Sequence, residues 1–172
     1  VTVRPVDALA LESVAVPGDL SSAAFWVAAA ALVPGSRLVL EDVNVNWTRT
    51  GFLRIAERMG VTIAGELEPP GGFSAGEPVA TLEVAHAPLR ATTVEPEEVP
   101  LAIDELPLVA LLGCFAEGET VVRGAAELRV KESDRIATVV AGLRALGGEL
   151  EATEDGFVVR GTGGLRGGRI SS

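Results

Sequence analysis

Residues typical of helix starts and helix ends recur at an interval of about 85 positions, which indicates a duplicated folding unit. An aspartate precedes the first predicted helix of each copy, and a glycine ends the first and the second helix of each copy. These pairs lie 83 to 87 positions apart: Asp19 and Asp104, Gly35 and Gly118, Gly60 and Gly147. A period this long favours two duplicated subdomains packed around shared helices over a solenoid of short repeats.

The first copy has the pattern strand, helix, strand, helix, strand, strand. Alternation of apolar and polar residues predicts the strands, and apolar residues spaced by three and four predict the helices. Ser21 can cap the first helix, which is apolar nearly all round, so we expect it to be buried. The predicted strands are 11–16, 37–43, 61–67 and 79–85, and the predicted helices run over 21–32 and from Thr48 or Thr50 to Met59.

The second copy repeats this order. Its predicted strands are 90–94, 120–123, 149–152 and 157–160, and its helices are 104–115 and 133–146. We therefore expect an α+β fold of α/β-type repeats, with two βαβαββ units and mixed sheets around buried parallel helices. Residues 1–88 form the first unit and 89–172 the second, within one domain.

The charge balance limits the classes of partner. The net charge of −10 argues against general binding to nucleic acid or to an anionic membrane, because both require cationic surfaces. The longest apolar run, 23–33, is too short to span a bilayer. The single cysteine, Cys114, lies among apolar residues and predicts a buried, inert thiol. With no signal-peptide pattern at the N-terminus, we expect a cytoplasmic protein.

One lysine stands among fourteen basic residues. Lys131 lies in the densest alternation of charge in the chain, 129–135, which reads RVKESDR. Lysine supplies a compact, mobile ammonium and arginine a planar fork, so the two are not interchangeable. A lone lysine beside Glu132 and between two arginines favours a site, although an exposed helix face is the ordinary explanation of such a run.

Three predicted helix starts carry polar clusters: 19–22, 104–105 and 131–135. A helix start presents free N–H groups and partial positive charge, which suits an anion. If the helix begins at Lys131, this lysine shares a face with Arg135; if it begins at Ser133, Lys131 lies just outside. In either case both cations can reach an anionic group near the helix start.

Each cluster also has a purely structural interpretation. Capping alone explains Asp19, Ser21 and Ser22, and we favour it there. Asp104 fits an N-cap as well as it fits a site, and Glu132 fits a solvated acid of the first helical turn. No spacing of His, Cys, Asp and Glu predicts a metal site, and a surface position is the expectation for the only histidine, His86.

Four motifs, in this order, closely resemble the EPSP synthase family: 17–24 (PGDLSSAA), 48–51 (TRTG), 103–107 (IDELP) and 128–135 (LRVKESDR). The resemblance covers nearly the whole chain, and the last motif is highly specific. It implies the enolpyruvyl transferase fold, an inverse α/β barrel-like domain of three βαβαββ units, of which this chain supplies two. It also implies transfer of the enolpyruvyl group of phosphoenolpyruvate to the 5-hydroxyl of shikimate 3-phosphate.

The resemblance assigns roles to four residues. Asp104 contacts shikimate 3-phosphate and accepts the proton of its hydroxyl. Lys131 binds the same substrate and shares in proton transfer, Glu132 protonates the enol methylene, and Arg135 binds phosphoenolpyruvate. No metal or covalent cofactor is implied, the full-length enzyme is expected to be a monomer, and neither nucleic acid nor membrane is a partner.

The chain departs from the family pattern at two positions. Glu127 stands where some members have Asn, and Trp47 replaces a common proline. The chain starts without Met, and the N-terminal domain and the later Asp-His-Arg motif of the family are missing, so we expect a fragment that is inactive alone. Two alternatives stay open: an enolpyruvyl transferase acting on UDP-N-acetylglucosamine, and a non-catalytic module that has kept the repeat.

Overall fold

The computed structural model describes residues 4–5, 7–8, 13–72 and 76–170. The first copy contains α1 (Leu20–Leu32), β1 (Arg37–Asn44), α2 (Gly51–Arg58), β2 (Thr62–Ala64) and β3 (Val79–Ala85). The second contains β4 (Thr93–Val94), α3 (Leu106–Phe115), β5 (Glu119–Val122), α4 (Arg135–Ala145), β6 (Glu149–Ala152) and β7 (Phe157–Arg160). Two 3₁₀ turns that the sequence did not predict, Val99–Leu101 and Ala126–Arg129, precede α3 and α4.

The two copies have the same sheet topology. The first sheet has the order β1-β3-β2, with antiparallel neighbours throughout. The second has the order β4-β5-β7-β6, in which β5, β7 and β6 are antiparallel and β4 runs parallel to β5. In the first copy a parallel bridge between Gly18 and Val43 takes the place of the β4–β5 pair. The α+β fold of two repeated units with mixed sheets is therefore confirmed.

The predicted strand 11–16 is wrong where it can be judged. Residues 11 and 12 lie outside the described part of the chain, and 13–16 form no strand. The physical reason is exposure: Val14 and Val16 keep 67% and 86% of their surface in water, so their alternation with small or polar residues marks no buried face.

Helix α1 differs from its prediction at its cap and in its burial. Asp19, and not Ser21, is the N-cap, because its carboxylate accepts the backbone N–H of Ser22 at 2.8 Å. One side of α1 is buried, mainly through alanines, but Phe25 and Trp26 stay 67% and 61% exposed. The expectation that this helix is buried therefore holds for one side of it only, within the part of the chain that the structure describes.

The helices join the two copies in one core. Helix α1 packs against its own sheet and against α3, and α3 packs against α2, α4, β5 and β7. The buried apolar residues form a continuous cluster that includes both copies. Cys114 lies inside it, as predicted, and burial raises the pKa of its thiol to about 11. No helix formed by the described residues is both long and apolar enough to cross a bilayer.

The start of α2 is in close contact with the second copy. A β-carbon placed on Gly51 would lie 2.5 Å from the carbonyl oxygen of Leu101 and 2.7 Å from its Cβ. Only glycine allows this approach at Gly51, which explains the final residue of the TRTG motif.

The end of α2 also contacts the second copy. The last residue of α2, Arg58, donates to Thr92 and Thr93 and forms a forked pair with Glu98 at 2.7 and 3.1 Å.

We predict that Gly51→Ala lowers the free energy of unfolding by about 1–3 kcal/mol, because the added methyl group overpacks a contact with backbone atoms. Gly142→Ala in α4 is the matched control, since a β-carbon there meets no atom within 4 Å. This control should raise stability by about 0.5–1 kcal/mol. Urea denaturation of both variants measures the difference. Equal changes in the free energy of unfolding for the two substitutions would contradict the close approach of α2 to the 3₁₀ turn Val99–Leu101.

Candidate active site

The candidate site lies where the chain enters α3 and α4. Both helices begin two residues later than the sequence predicted, at Leu106 and Arg135. Asp134 caps α4 by accepting the backbone N–H of Ala137 at 2.9 Å. Asp104 and Lys131 are therefore not helical, but each lies within four residues of a helix start.

Asp104 is the point at which the predicted residues meet. Its Oδ1 lies 3.0 Å from Nη1 of Arg135 and 4.0 Å from Nζ of Lys131. The two cations are about three-quarters buried, whereas the Asp104 side chain is 43% exposed. The structure thus brings together one carboxylate and two cations that are separated by up to 31 positions in the sequence. A carboxylate is a possible proton acceptor, and here it lies against two cations that can bind an anionic substrate.

Glu132 lies on the outer side of the same arginine. Its Oε2 accepts from Nη2 of Arg135 at 2.7 Å, and 78% of its side chain is exposed. Its own backbone N–H, and after that Arg135, hold the pKa of Glu132 below its ordinary value. The same ion pair raises the pKa of Arg135. In this state Glu132 is a carboxylate, so donating a proton requires its surroundings to change.

Glu127 is a further neighbour of the lysine. Its Oε1 lies 3.5 Å from Nζ of Lys131, and its side chain is 69% exposed. Glu127, at one of the two positions that depart from the family pattern, therefore places a second carboxylate beside Lys131. The ammonium is thus placed between Asp104 and Glu127.

The loop that carries Lys131 and Glu132 is held by Arg129, a role that the sequence did not reveal. Its guanidinium binds the Asp134 carboxylate at 2.6 Å and donates to the carbonyls of Thr153 and Glu154, the latter at 2.8 Å. These carbonyls belong to the β6–β7 hairpin. The charge alternation of the motif therefore separates two tasks: Arg129 fixes the loop to the sheet, and Lys131 and Arg135 face Asp104.

The polar cluster at the start of α1 is only partly a cap. Ser22 donates its backbone N–H and its hydroxyl to Asp19, and the Ser22 hydroxyl, followed by this N–H, lowers the pKa of that carboxyl. Ser21 instead donates to Oε1 of Glu105, which is buried. Capping thus explains Asp19 and Ser22 but not Ser21.

Other candidate residues lie elsewhere. His86 is half-buried, with Nδ1 placed 2.7 Å from the carbonyl oxygen of Ala31 at the end of α1. Within the part of the chain that the structure describes, no group of three or more His, Cys, Asp or Glu side chains is placed to hold a metal ion.

Comparison with known proteins identifies the family of this chain. The family model for EPSP synthase (3-phosphoshikimate 1-carboxyvinyltransferase) matches residues 1–172. The 3-phosphoshikimate 1-carboxyvinyltransferase of Synechococcus sp. (strain CC9605) is 45% identical over 172 residues, which is all of this chain and 38% of that protein. The protein of the same name from Lactiplantibacillus plantarum (strain ATCC BAA-793 / NCIMB 8826 / WCFS1) is 50% identical over 161 residues, 94% of this chain and 36% of that protein.

A solved structure of the same family is also similar to this chain. An EPSP synthase from Acinetobacter baumannii superposes with a TM-score of 0.79 and is 43% identical, with 87% of this chain and 33% of that chain covered. The chain therefore spans a little over a third of the length of the curated relatives that it matches.

We predict that Arg135→Gln raises the pKa of the Glu132 carboxyl toward its ordinary value, because the guanidinium that favours the ionised form is lost. The backbone N–H of Glu132 remains, so part of the depression should persist. Carbon-detected NMR titration of the glutamate carboxyl groups measures the change. Arg144→Gln, at the exposed end of the same helix, is the control and should leave this pKa unchanged. An unchanged pKa in Arg135→Gln would contradict the pairing of Glu132 with Arg135.

Proposed function

This chain belongs to the EPSP synthase family, and we propose that the full-length protein is a 3-phosphoshikimate 1-carboxyvinyltransferase. In this reaction the enolpyruvyl group of phosphoenolpyruvate passes to the 5-hydroxyl of shikimate 3-phosphate, and phosphate is released. The observation that carries the proposal is the placement of Asp104 between Lys131 and Arg135. Since the chain is little more than a third of its relatives' length, the reaction is proposed for the whole protein.

The proposed chemistry is an addition followed by an elimination. Asp104 accepts the proton of the 5-hydroxyl while the oxygen attacks the substituted carbon of the enol. Glu132 supplies a proton to the methylene carbon, which becomes a methyl group. Phosphate then leaves with the electron pair of its C–O bond, the Glu132 carboxylate takes back a proton from that methyl group, and the double bond is restored in the product. One group must take a proton and another must give one, and two carboxylates in different surroundings can divide this work.

Substrate binding would free Asp104 and Glu132 from Arg135, so that each can take part in proton transfer. Arg135 is shared between Asp104 and Glu132 in this structure. The carboxylate or phosphate of phosphoenolpyruvate is a stronger partner for a guanidinium fork, since it can accept two parallel hydrogen bonds. As Arg135 turns to the substrate, Asp104 becomes free to act as a base. The pKa of Glu132 rises as it loses a cation, which favours the protonated form that a donor needs.

Lys131 completes the proposed site. Its ammonium lies near Asp104 and its side chain is 26% exposed, so the ammonium can bind an oxygen of shikimate 3-phosphate and stabilise the alkoxide as the proton leaves. These residues provide proton transfer and anion binding, and no cofactor enters the proposed mechanism. We further propose two units, 1–88 and 89–172, within one domain of a monomeric, cytoplasmic enzyme that binds neither nucleic acid nor membrane.

We predict that Asp104→Asn in the full-length protein lowers kcat by at least about 100-fold, because the amide cannot accept the hydroxyl proton. Lys131→Met should reduce turnover by a similar factor. Glu117→Gln, an exposed carboxylate of the same copy outside the site, is the control and should retain the wild-type rate. Release of phosphate from phosphoenolpyruvate with shikimate 3-phosphate measures the rates.

The same assay separates the alternatives. Near-normal rates in Asp104→Asn or Lys131→Met would contradict the site assignment while leaving the reaction intact. A wild-type protein that is inactive with shikimate 3-phosphate but active with UDP-N-acetylglucosamine would contradict the reaction itself.

A further inference from the structure

One buried carboxylate has no role in the proposed chemistry. Glu105 directly follows Asp104, and only 5% of its surface is exposed. Burying an ionisable side chain is unfavourable unless hydrogen bonds or charges compensate for lost water. An alanine or leucine would fill the position without this cost, so the contacts of Glu105 need an explanation.

Those contacts come from the first copy of the repeat. The hydroxyl of Ser21, in the first turn of α1, donates to Oε1 of Glu105 across 84 positions of sequence. The same hydroxyl oxygen accepts from Nη2 of Arg49 at 2.7 Å. The guanidinium of Arg49 also lies 3.9 Å from the carboxylate of Asp19, which caps α1. A hydroxyl has one proton and two lone pairs, and Ser21 uses them to connect a guanidinium with a buried carboxylate.

Glu105 is fixed through its backbone as well. Its N–H donates to the carbonyl of Ala102 at 3.0 Å, and its own carbonyl accepts from Leu108 at 2.8 Å and Val109 at 3.2 Å. The residue therefore ends the turn that carries Asp104 and directly precedes α3. Consecutive carboxylates are held by different copies: Glu105 by Ser21, and Asp104 by Lys131 and Arg135.

We propose that Arg49, Ser21 and Glu105 form a positioning relay that sets the Asp104 carboxylate for proton transfer, an inference that rests on the function proposed above. These three residues act through Asp104 and do not touch the reacting atoms. Through the relay, residues of the first copy position a carboxylate of the second copy, which is the one that would transfer the proton. It also gives a task to the arginine of the TRTG motif and to the serine that capping leaves unexplained.

The test uses the full-length protein and starts with Ser21→Ala, which removes the donor to Glu105 and the acceptor for Arg49. We expect kcat to fall about tenfold, because small displacements of a catalytic group are costly in rate. Ser21→Thr keeps a hydroxyl and should restore most of the rate. Ser22→Ala is the matched control, since its exposed hydroxyl bonds only with Asp19 among the contacts described, and it should keep the wild-type kcat.

A double-mutant cycle decides whether the effect passes through Asp104. In an Asp104→Asn background, Ser21→Ala should cause no further loss of kcat, because there is no longer a base to position. A tenfold loss in that background, or an equal loss in Ser22→Ala, would overturn the relay. If Ser21→Ala does not fold, Arg49→Met replaces it in the same cycle, since the Arg49 side chain is 48% exposed.

A second measurement, hydrogen exchange, tests the relay independently of enzymatic activity. A wild-type protein without activity on shikimate 3-phosphate contradicts the proposed function, and the relay is then judged by hydrogen exchange. The amides of Leu108 and Val109, which bond to the Glu105 carbonyl, should exchange faster in Ser21→Ala than in Ser22→Ala. Equal exchange in the two variants would overturn the relay whatever the activity.

Discussion

Packing around α3 is the constraint on which both copies depend. This helix lies against α1 and α2 of the first copy and against α4, β5 and β7 of the second. Seven of its ten residues are buried. Because the helix is enclosed on several sides, its first turn has a defined position, and so do Asp104 and Glu105 immediately before it. The candidate site therefore follows from the core and not from the surface ion pairs, which contribute little stability by themselves.

Arg135 is the residue that connects the two carboxylates of the candidate site. Arg135 donates to Asp104 and to Glu132, so two carboxylates share one guanidinium. In the proposed mechanism, an anionic substrate that binds the guanidinium frees both carboxylates. In the mechanism proposed above, loss of the pairing with Arg135 raises the lowered pKa of Glu132, which suits the proton-donor role proposed for it. The acidic balance of the chain is no obstacle, since cations need only converge locally.

Much of the fold could be predicted from local sequence. Glycines at 60 and 147 follow α2 and α4 as expected, and the alternation at 149–152 and 157–160 gave the antiparallel hairpin. Errors arose where local patterns are ambiguous. Asp19 and Ser21 are equally good caps by composition, and apolar residues on α1 cannot reveal which side other elements will cover. The 3₁₀ turns are too short to produce a periodic signal.

The side chains that meet at the candidate site could be named from the sequence, since they lie in two short motifs, 103–107 and 128–135. Lys131 stood out because the chain uses arginine elsewhere, but its distance from Asp104 depends on tertiary packing. The contact between Ser21 and Glu105 joins residues 84 positions apart, and no local pattern encodes it. The most direct test is a crystal structure of the full-length protein with shikimate 3-phosphate and phosphoenolpyruvate. The account predicts the 5-hydroxyl within hydrogen-bond distance of Asp104 and phosphoenolpyruvate on Arg135; both ligands bound away from these residues would contradict it.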